Sequence, residues 1–209
     1  MDSIYTVTNT TAKAQFISEH GFGTLHFNSG STPCTVAMPF VCTLRHNKII
    51  LNGFVNNNEI QGYSIKNGTE VLALFNGPYC YIKGSWYGTG NLSYYNYKLA
   101  KLNGTITILQ GKDAANLLLE ILQYYDNQVP STDKVTNEIT TLTPNQLSNY
   151  TVVTIDVTSA VAVFELCQTL NDVDFSKVIR ELKKQDDYSA MLIAFEMEQQ
   201  LRNRVAKKN

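Results

Sequence analysis

The sequence predicts an α+β fold built on an antiparallel β-sheet or barrel, and three observations predict it. Strand-like segments come in runs instead of alternating with helices, the first connections are short enough for hairpins, and helical periodicity gathers after residue 113. The 209-residue chain is 44% hydrophobic and carries 12 Tyr, 9 Phe and 1 Trp, enough to fill a core and to exclude disorder as its main state.

Thr10 or Thr11 is placed to cap a short helix through Phe16, Ile17 and His20, with Gly21 where a left-handed C-terminal residue is wanted. Three strands rich in β-branched and aromatic residues are expected next, over 22–27, 34–44 and 48–55. The clusters Asn28 to Ser31 and Arg45-His46-Asn47 separate them. A brief helix-like stretch is expected from Asn56 to Lys66, then a strand over Val71 to Asn76 that Gly77-Pro78 interrupts and Tyr79 to Lys83 resumes. After the loop from Gly84 to Asn91, Ser93 to Leu109 reads as one long strand or two.

From Asp113, an N-cap candidate, Leu117, Leu118, Ile121, Leu122 and Tyr125 recur at helical spacing. A polar connector from Asp126 to Thr141 follows, and Thr143-Pro144 has the cap-then-Pro order of a helix start. Two strands are expected over 151–158 and 160–167. Asn171 or Asp172 then caps a helix presenting Phe175, Val178, Ile179 and Leu182 on one face, and a second helix is expected from Asp187 to about Val205. The organisation expected is a β-rich domain over 1–170 continued by a helical extension over 171–209, packed on the same domain. No repeat of fixed period is present.

Seventeen Lys and Arg against 18 Asp and Glu leave a net charge of −1. A uniformly basic nucleic-acid binder, with a pI above roughly 9, is excluded, so any DNA contact needs a local patch. The basic residues after Phe175 are offset by acids and read as a solvated face. No signal-peptide-like run opens the chain and no apolar stretch reaches the ~18 residues of a membrane span, so a soluble, cytoplasmic protein is expected. Cys34, Cys42, Cys80 and Cys167 form no C-x-x-C pair and are expected as free thiols packed in strands. His20, His26 and His46 are scattered and match no metal motif. The chain lacks nucleophile-elbow, Walker and dinucleotide-binding signatures, and its β segments lack paired carboxylates. No catalytic residue is therefore assigned, and enzymatic activity is left open.

One segment stands apart. Between Glu70 and Asp113 there is no acid, whereas Lys83, Lys98, Lys101 and Lys112 and eight aromatics, Phe75, Tyr79, Tyr81, Trp86, Tyr87, Tyr94, Tyr95 and Tyr97, fall within it. Positive charge beside aromatic faces suits a planar, phosphorylated ligand. Tyrosines fitted to a half-buried pleat explain the same composition without a ligand.

Within that segment, VLALFNGPYCYIKGSWY over Val71 to Tyr87 resembles the central motif of PaiB-type FMN-binding proteins. These are negative transcriptional regulators in the FMN-binding split-barrel superfamily, related to pyridoxamine phosphate oxidase. The family pattern is close to VLA-x-F-x-GPH-x-YI-x-x-SWY, with Tyr79 here in place of its His. The likeness runs from about Tyr5 to Leu201. Other motifs follow in order but are eroded. Ala37 replaces a family His before Pro39. In the turn from Gly53 to Gln61, Phe54, Asn57, Glu59 and Ile60 replace His, Arg, Asn and Pro. Asn96 and Tyr97 are kept in the segment Leu92 to Tyr97, Lys101 stands at a family His, and Gln168 is kept while Glu165 replaces a Lys.

The resemblance implies a split β-barrel with flanking helices, a homodimer with flavin at the subunit interface, and Tyr81, Ser85, Trp86, Asn96, Tyr97, Lys101 and Gln168 lining an FMN site. It implies a flavin-binding regulator or weak oxidoreductase. The losses at Asn57 and Glu165 imply a weakened phosphate site, and with it an alternative: a non-catalytic dimeric binding module that has lost or changed its flavin.

Overall fold

The computed structural model describes residues 5–88, 91–129 and 142–206. Its elements are β1 (Thr6–Val7), α1 (Thr10–Glu19), β2 (Phe22–Ser29), β3 (Thr32–Arg45), β4 (Lys48–Asn56), β5 (Glu70–Ile82), a 3-10 turn (Gly84–Trp86) and β6 (Tyr94–Leu109). They continue with α2 (Gly111–Asp126), α3 (Pro144–Leu147), β7 (Tyr150–Glu165), α4 (Asp172–Leu182) and α5 (Tyr188–Ala206). The sheet order is β1-β7-β4-β3-β2-β5-β6, and an additional β7–β6 pairing closes it on itself. The paired registers are antiparallel, as the hairpin connections require. This is the expected α+β barrel with flanking helices.

The chain divides into two compact units, one formed by Asn9–Phe75 with Ala100–Val161 and the other by Met1–Thr8, Asn76–Leu99 and Ala162–Asn209. In the first unit, β2, β3 and β4 are joined by two-residue turns. Ser29 pairs with Thr32 around Gly30, at φ 64°, and Arg45 pairs with Lys48 around His46 and Asn47, at φ 49° and 63°. Two successive left-handed residues make the mirror-image turn whose twist matches the strands it joins. Alternation along β4 buries Ile49, Leu51 and Val55, with Gly53 on the same face. A Cβ on Gly53 would lie 2.8 Å from the Pro39 carbonyl oxygen and 2.7 Å from Met38 Cε, so only glycine lets β4 lie this close to β3. Phe16 and Ile17 of α1, Phe40, Leu51, Phe75, Leu102, Ile106, Leu118 and Ile155 fill the interior, with Phe40 and Phe75 edge to face at 5.3 Å.

The second unit holds the helical core. Cys80, Ile82, Leu166 and Cys167 pack with Phe175, Val178, Ile179 and Leu182 of α4 and Ala190, Ile193, Ala194 and Met197 of α5. The apolar face read from the α4 sequence is the buried one. Arg204 Cζ stands 4.1 Å over the Phe175 ring, and its guanidinium donates to the carbonyls of Leu170 and Gln168 at 3.0 and 3.1 Å. Asn171 caps α4, its Oδ1 accepting from the Val173 and Asp174 amides at 3.0 and 2.9 Å.

Several local expectations are corrected. Asn9, not Thr10 or Thr11, caps α1, accepting from the Ala12 amide at 3.0 Å. Gly21 is not left-handed. A Cβ there would lie 2.5 Å from Tyr125 Oη, whose hydroxyl donates to the Phe40 carbonyl at 2.7 Å, so the glycine makes room for that bond. Residues 57–62 form turns and no helix. Gly77-Pro78 does not interrupt β5, because the register with β2 ends at Leu74 and no ladder bond to β2 is asked of Pro78. Residues 94–109 are one strand, the first of the two alternatives expected there, and residues 150–165 are one strand where two were expected. Cys167 therefore lies beyond β7, at φ 58°. Gln110, not Asp113, holds the N-cap position of α2, without a side-chain cap bond, and Asp113 sits in the first turn, where a carboxylate suits the helix dipole. Thr143 and Gln146 form a capping box ahead of Pro144. Residues 130–141 of the polar connector lie outside the described residues.

Candidate functional site

Exposed aromatic side chains gather on neighbouring β5 and β6 in the unit that contains α4 and α5. Tyr79 is 62% exposed, Tyr81 49% and Tyr95 55%. The Tyr95 ring lies 6.4 Å from that of Tyr79 and 5.2 Å from that of Tyr81. Strand alternation explains the grouping, since residues two apart share a face. Beside these rings opens a pocket of about 420 Å³, lined by Asn76, Gly77, Tyr79, Tyr95, Tyr97, Lys98 and Leu99. That volume lies within the roughly 300–1,000 Å³ of small-molecule sites. A larger, open groove of about 970 Å³ lies in the other unit, between the β3–β4 turn and β7, where Lys13, Arg45, Lys48 and Asp156 line it.

Lys98 is the one cationic side chain among the described lining residues. It stands on the buried side of β6, in step with Asn96, Ala100 and Leu102, and is only 7% exposed. Such a charge needs a partner. Glu196 of α5 supplies it, with Oε1 2.7 Å from Nζ, and the Phe164 ring centroid lies 4.4 Å from the same nitrogen. Behind Tyr97 stands Glu165, whose carboxyl accepts the tyrosine hydroxyl. Burial raises its pKa above the ordinary value, and the Tyr97 hydrogen bond opposes the rise.

Of the residues the sequence nominated, Tyr97 lines the pocket, and Tyr81 is not among the described lining residues but packs on the Tyr95 ring. Ser85 is exposed on the 3-10 turn, and Trp86 packs against the helical core. Asn96 is wholly buried, its Nδ2 donating to Cys167 Sγ at 3.1 Å. Tyr94 Oη donates to the same sulfur at 3.2 Å. Burial raises the Cys167 thiol pKa, and those two donors pull it back. Gln168 is occupied by its own turn, accepting from the Leu166 amide at 2.7 Å and donating to the Phe164 carbonyl. Lys101 is an exposed β6 residue of the other unit. Sequence reasoning placed Tyr79, Tyr95 and Lys98 in the aromatic segment without nominating them as lining residues. For Lys98 the signal was available, because a lysine in phase with Ala100 and Leu102 on a strand has to find a buried counter-charge.

The residues present fit one half of FMN. A mainly apolar pocket walled by Tyr79, Tyr95, Tyr97 and Leu99 suits a planar tricyclic ring, and Asn76 offers an amide donor and acceptor to its polar edge. A phosphate is not provided for. Lys98 is committed to Glu196, and Glu165 is an acid where the resemblance puts a Lys. In the other unit, Asn57 spends its amide on the Ser148 carbonyl at 2.8 Å and the Thr151 hydroxyl at 2.7 Å.

Among the described residues, no cluster of three or more His, Cys, Asp or Glu is placed to hold a metal ion, and no helix is long and apolar enough to cross a membrane. The four cysteines are free, with Cys34, Cys80 and Cys167 buried.

Comparison with known proteins agrees with this architecture. A family model described as "Putative FMN-binding domain" matches residues 1–159. The chain is 24% identical over 204 residues to "Protease synthase and sporulation protein PAI 2" of Bacillus subtilis (strain 168), covering 96% of this chain and 97% of that one. Among solved structures, it is similar to the FAD and heme binding protein from Mycobacterium smegmatis, at TM-score 0.60 and 12% identity over 82% of this chain and 79% of that one. It also resembles the flavocytochrome Anf3 from Azotobacter vinelandii, at TM-score 0.51 and 9% identity over 79% and 72%. The eroded motifs, the closed antiparallel sheet and a match across three quarters of the chain agree: this protein belongs to the PaiB-type FMN-binding domain family, on a split-barrel fold.

Proposed function

We propose that this chain is a flavin-binding protein of the PaiB type that holds the isoalloxazine ring against Tyr79, Tyr95 and Tyr97 and serves as a regulatory binding module. The single observation that carries the reading is the 420 Å³ aromatic pocket beside the retained GPYCYIKGSWY segment. Membership of an FMN-binding family supports FMN as its cofactor. A bound flavin would supply redox chemistry. The part left to this chain is to bind and orient the ring, since no unpaired acid or base lines the described pocket.

Tyr97 holds its hydroxyl proton toward Glu165 and so presents its ring to the pocket in a fixed orientation. The exposed Tyr79, Tyr81 and Tyr95 suit an interface with a second copy, because tyrosine is enriched where surfaces are buried on association. The absorbance spectrum of the purified protein, followed by titration with FMN and riboflavin, tests the reading. Flavin bands or saturable quenching of flavin fluorescence are expected. A colourless protein that quenches neither flavin at high micromolar concentration overturns it.

The second reading, a dimeric interaction module without flavin, is favoured by the loss of charge or its reversal at Asn57 and Glu165. Light scattering under the same conditions separates the two, since a dimer that ignores both flavins supports this one. DNA contact is the weakest reading, because the α4–α5 charges are partly neutralised in pairs such as Lys183–Glu198 and Lys184–Glu181.

A further inference from the structure

The charges around the aromatic pocket carry an inference about which flavin it takes, and that inference rests on the flavin reading above. An anionic ligand is recognised by cations or amide donors that are desolvated and unpaired before it arrives. Lys98 is buried, but its ammonium already faces Glu196 Oε1 at 2.7 Å and the Phe164 ring at 4.4 Å. A phosphate could use Lys98 only by displacing Glu196, which would leave a carboxylate in a partly buried place with its partner gone. Glu165 adds a second acid at Tyr97, and no lysine or arginine other than Lys98 is among the described lining residues. The one ammonium at the pocket is thus balanced by Glu196, and Glu165 adds an acid, not a cation, beside Tyr97. The walls are aromatic and aliphatic, as a planar ring prefers.

We propose that the pocket recognises its flavin by the ring alone and discriminates against the phosphate, so that riboflavin or another uncharged planar heteroaromatic binds at least as tightly as FMN. Glu165 contributes to the preference, since the carboxyl that accepts the Tyr97 hydroxyl offers a phosphate no cation. Glu196 supports it by holding Lys98 out of reach.

Flavin-fluorescence titration of the full chain with riboflavin and with FMN, at one ionic strength, tests this. For the wild type the riboflavin dissociation constant is expected to equal or fall below that of FMN. Glu165→Lys is expected to shift the FMN-to-riboflavin ratio toward FMN by about tenfold or more, whatever the lost Tyr97 hydrogen bond costs both ligands alike. Should that variant misfold by near-ultraviolet circular dichroism, the double variant Lys98→Met with Glu196→Gln serves instead, because it removes the cation and its counter-charge together. The FMN-to-riboflavin ratio is expected to stay unchanged in it, and a selective loss of FMN would overturn the proposal. Wild-type FMN binding about tenfold tighter than riboflavin overturns it too, with the flavin reading intact. Failure of both ligands to bind overturns the flavin reading itself.

Discussion

Lys98 Nζ and Glu196 Oε1 lie 2.7 Å apart, joining β6 to α5 through a lysine that is almost wholly removed from water. Breaking such a pair from one side differs from replacing the buried charge, because a lone buried ammonium costs more than a methyl-capped stem of the same length. Glu196→Ala is expected to destabilise the protein by about 1–3 kcal/mol, below the value for a fully buried pair because Glu196 remains a third exposed. Lys98→Met is expected to cost less, or to stabilise. Urea midpoints of the two variants decide it, and a larger loss for Lys98→Met would show that the ion pair itself stabilises the unit.

Glu165 gives the protein a pH dependence of predictable sign. Its folded pKa lies above the ordinary 4.5 because burial disfavours the carboxylate, so the folded state binds this proton more tightly than the unfolded chain does. The stabilisation is complete below the ordinary glutamate range and is lost as pH rises through the raised value. Relative to Glu165→Gln, the wild type should therefore lose stability as pH rises above the ordinary glutamate range. Urea midpoints of the two proteins across that window measure it; a difference that stays constant refutes the assignment.

Two thiols should be slow. Burial pushes Cys42 up to about 11 and Cys80 up to about 12, the latter with further contributions from Cys167 and Asp187. Since the thiolate is the nucleophile, neither should react appreciably with an aromatic disulfide reagent at about pH 8 in the native state, and both should react at once in urea. Mass spectrometry of the labelled sites reads the outcome.

Phe175 is fully buried and also carries the Arg204 guanidinium on its face. Phe175→Ala is expected to cost about 3–5 kcal/mol through the lost burial of the ring and the cavity it leaves. Phe175→Leu should retain most of the packing and lose the ring contact. Thermal or urea melts rank the two; equal losses would show that ring shape matters more than volume.

Much of the fold was legible in the sequence because its causes are local. Alternation in β4, the two-residue turn at His46 and Asn47, the cap-then-Pro helix start at Thr143 and Pro144 and the Phe175-Val178-Ile179-Leu182 face each follow from residues within a few positions of one another. The misjudged points share the opposite property. Gly77-Pro78 looked like a break, and only the end of the β2 register at Leu74 shows why it is tolerated. Gly21 looked like a helix stop, and only Tyr125, a hundred residues on, shows what its missing side chain permits.

The site divides in the same way. By itself the sequence determined the family, the antiparallel barrel and the acid-free, tyrosine-rich segment in which a ligand would be held, since composition and motif order are properties of the chain. Only the tertiary structure decided which of those residues face a pocket and which charges remain available. Asn96 and Gln168, both in family motifs, are hydrogen-bonded to Cys167 and to the turn before it, whereas Tyr79, Tyr95 and Lys98 line the cavity. The reason is physical. A hydrogen bond or an ion pair is made between groups that folding brings together, and Glu196 lies 98 residues from the lysine it neutralises.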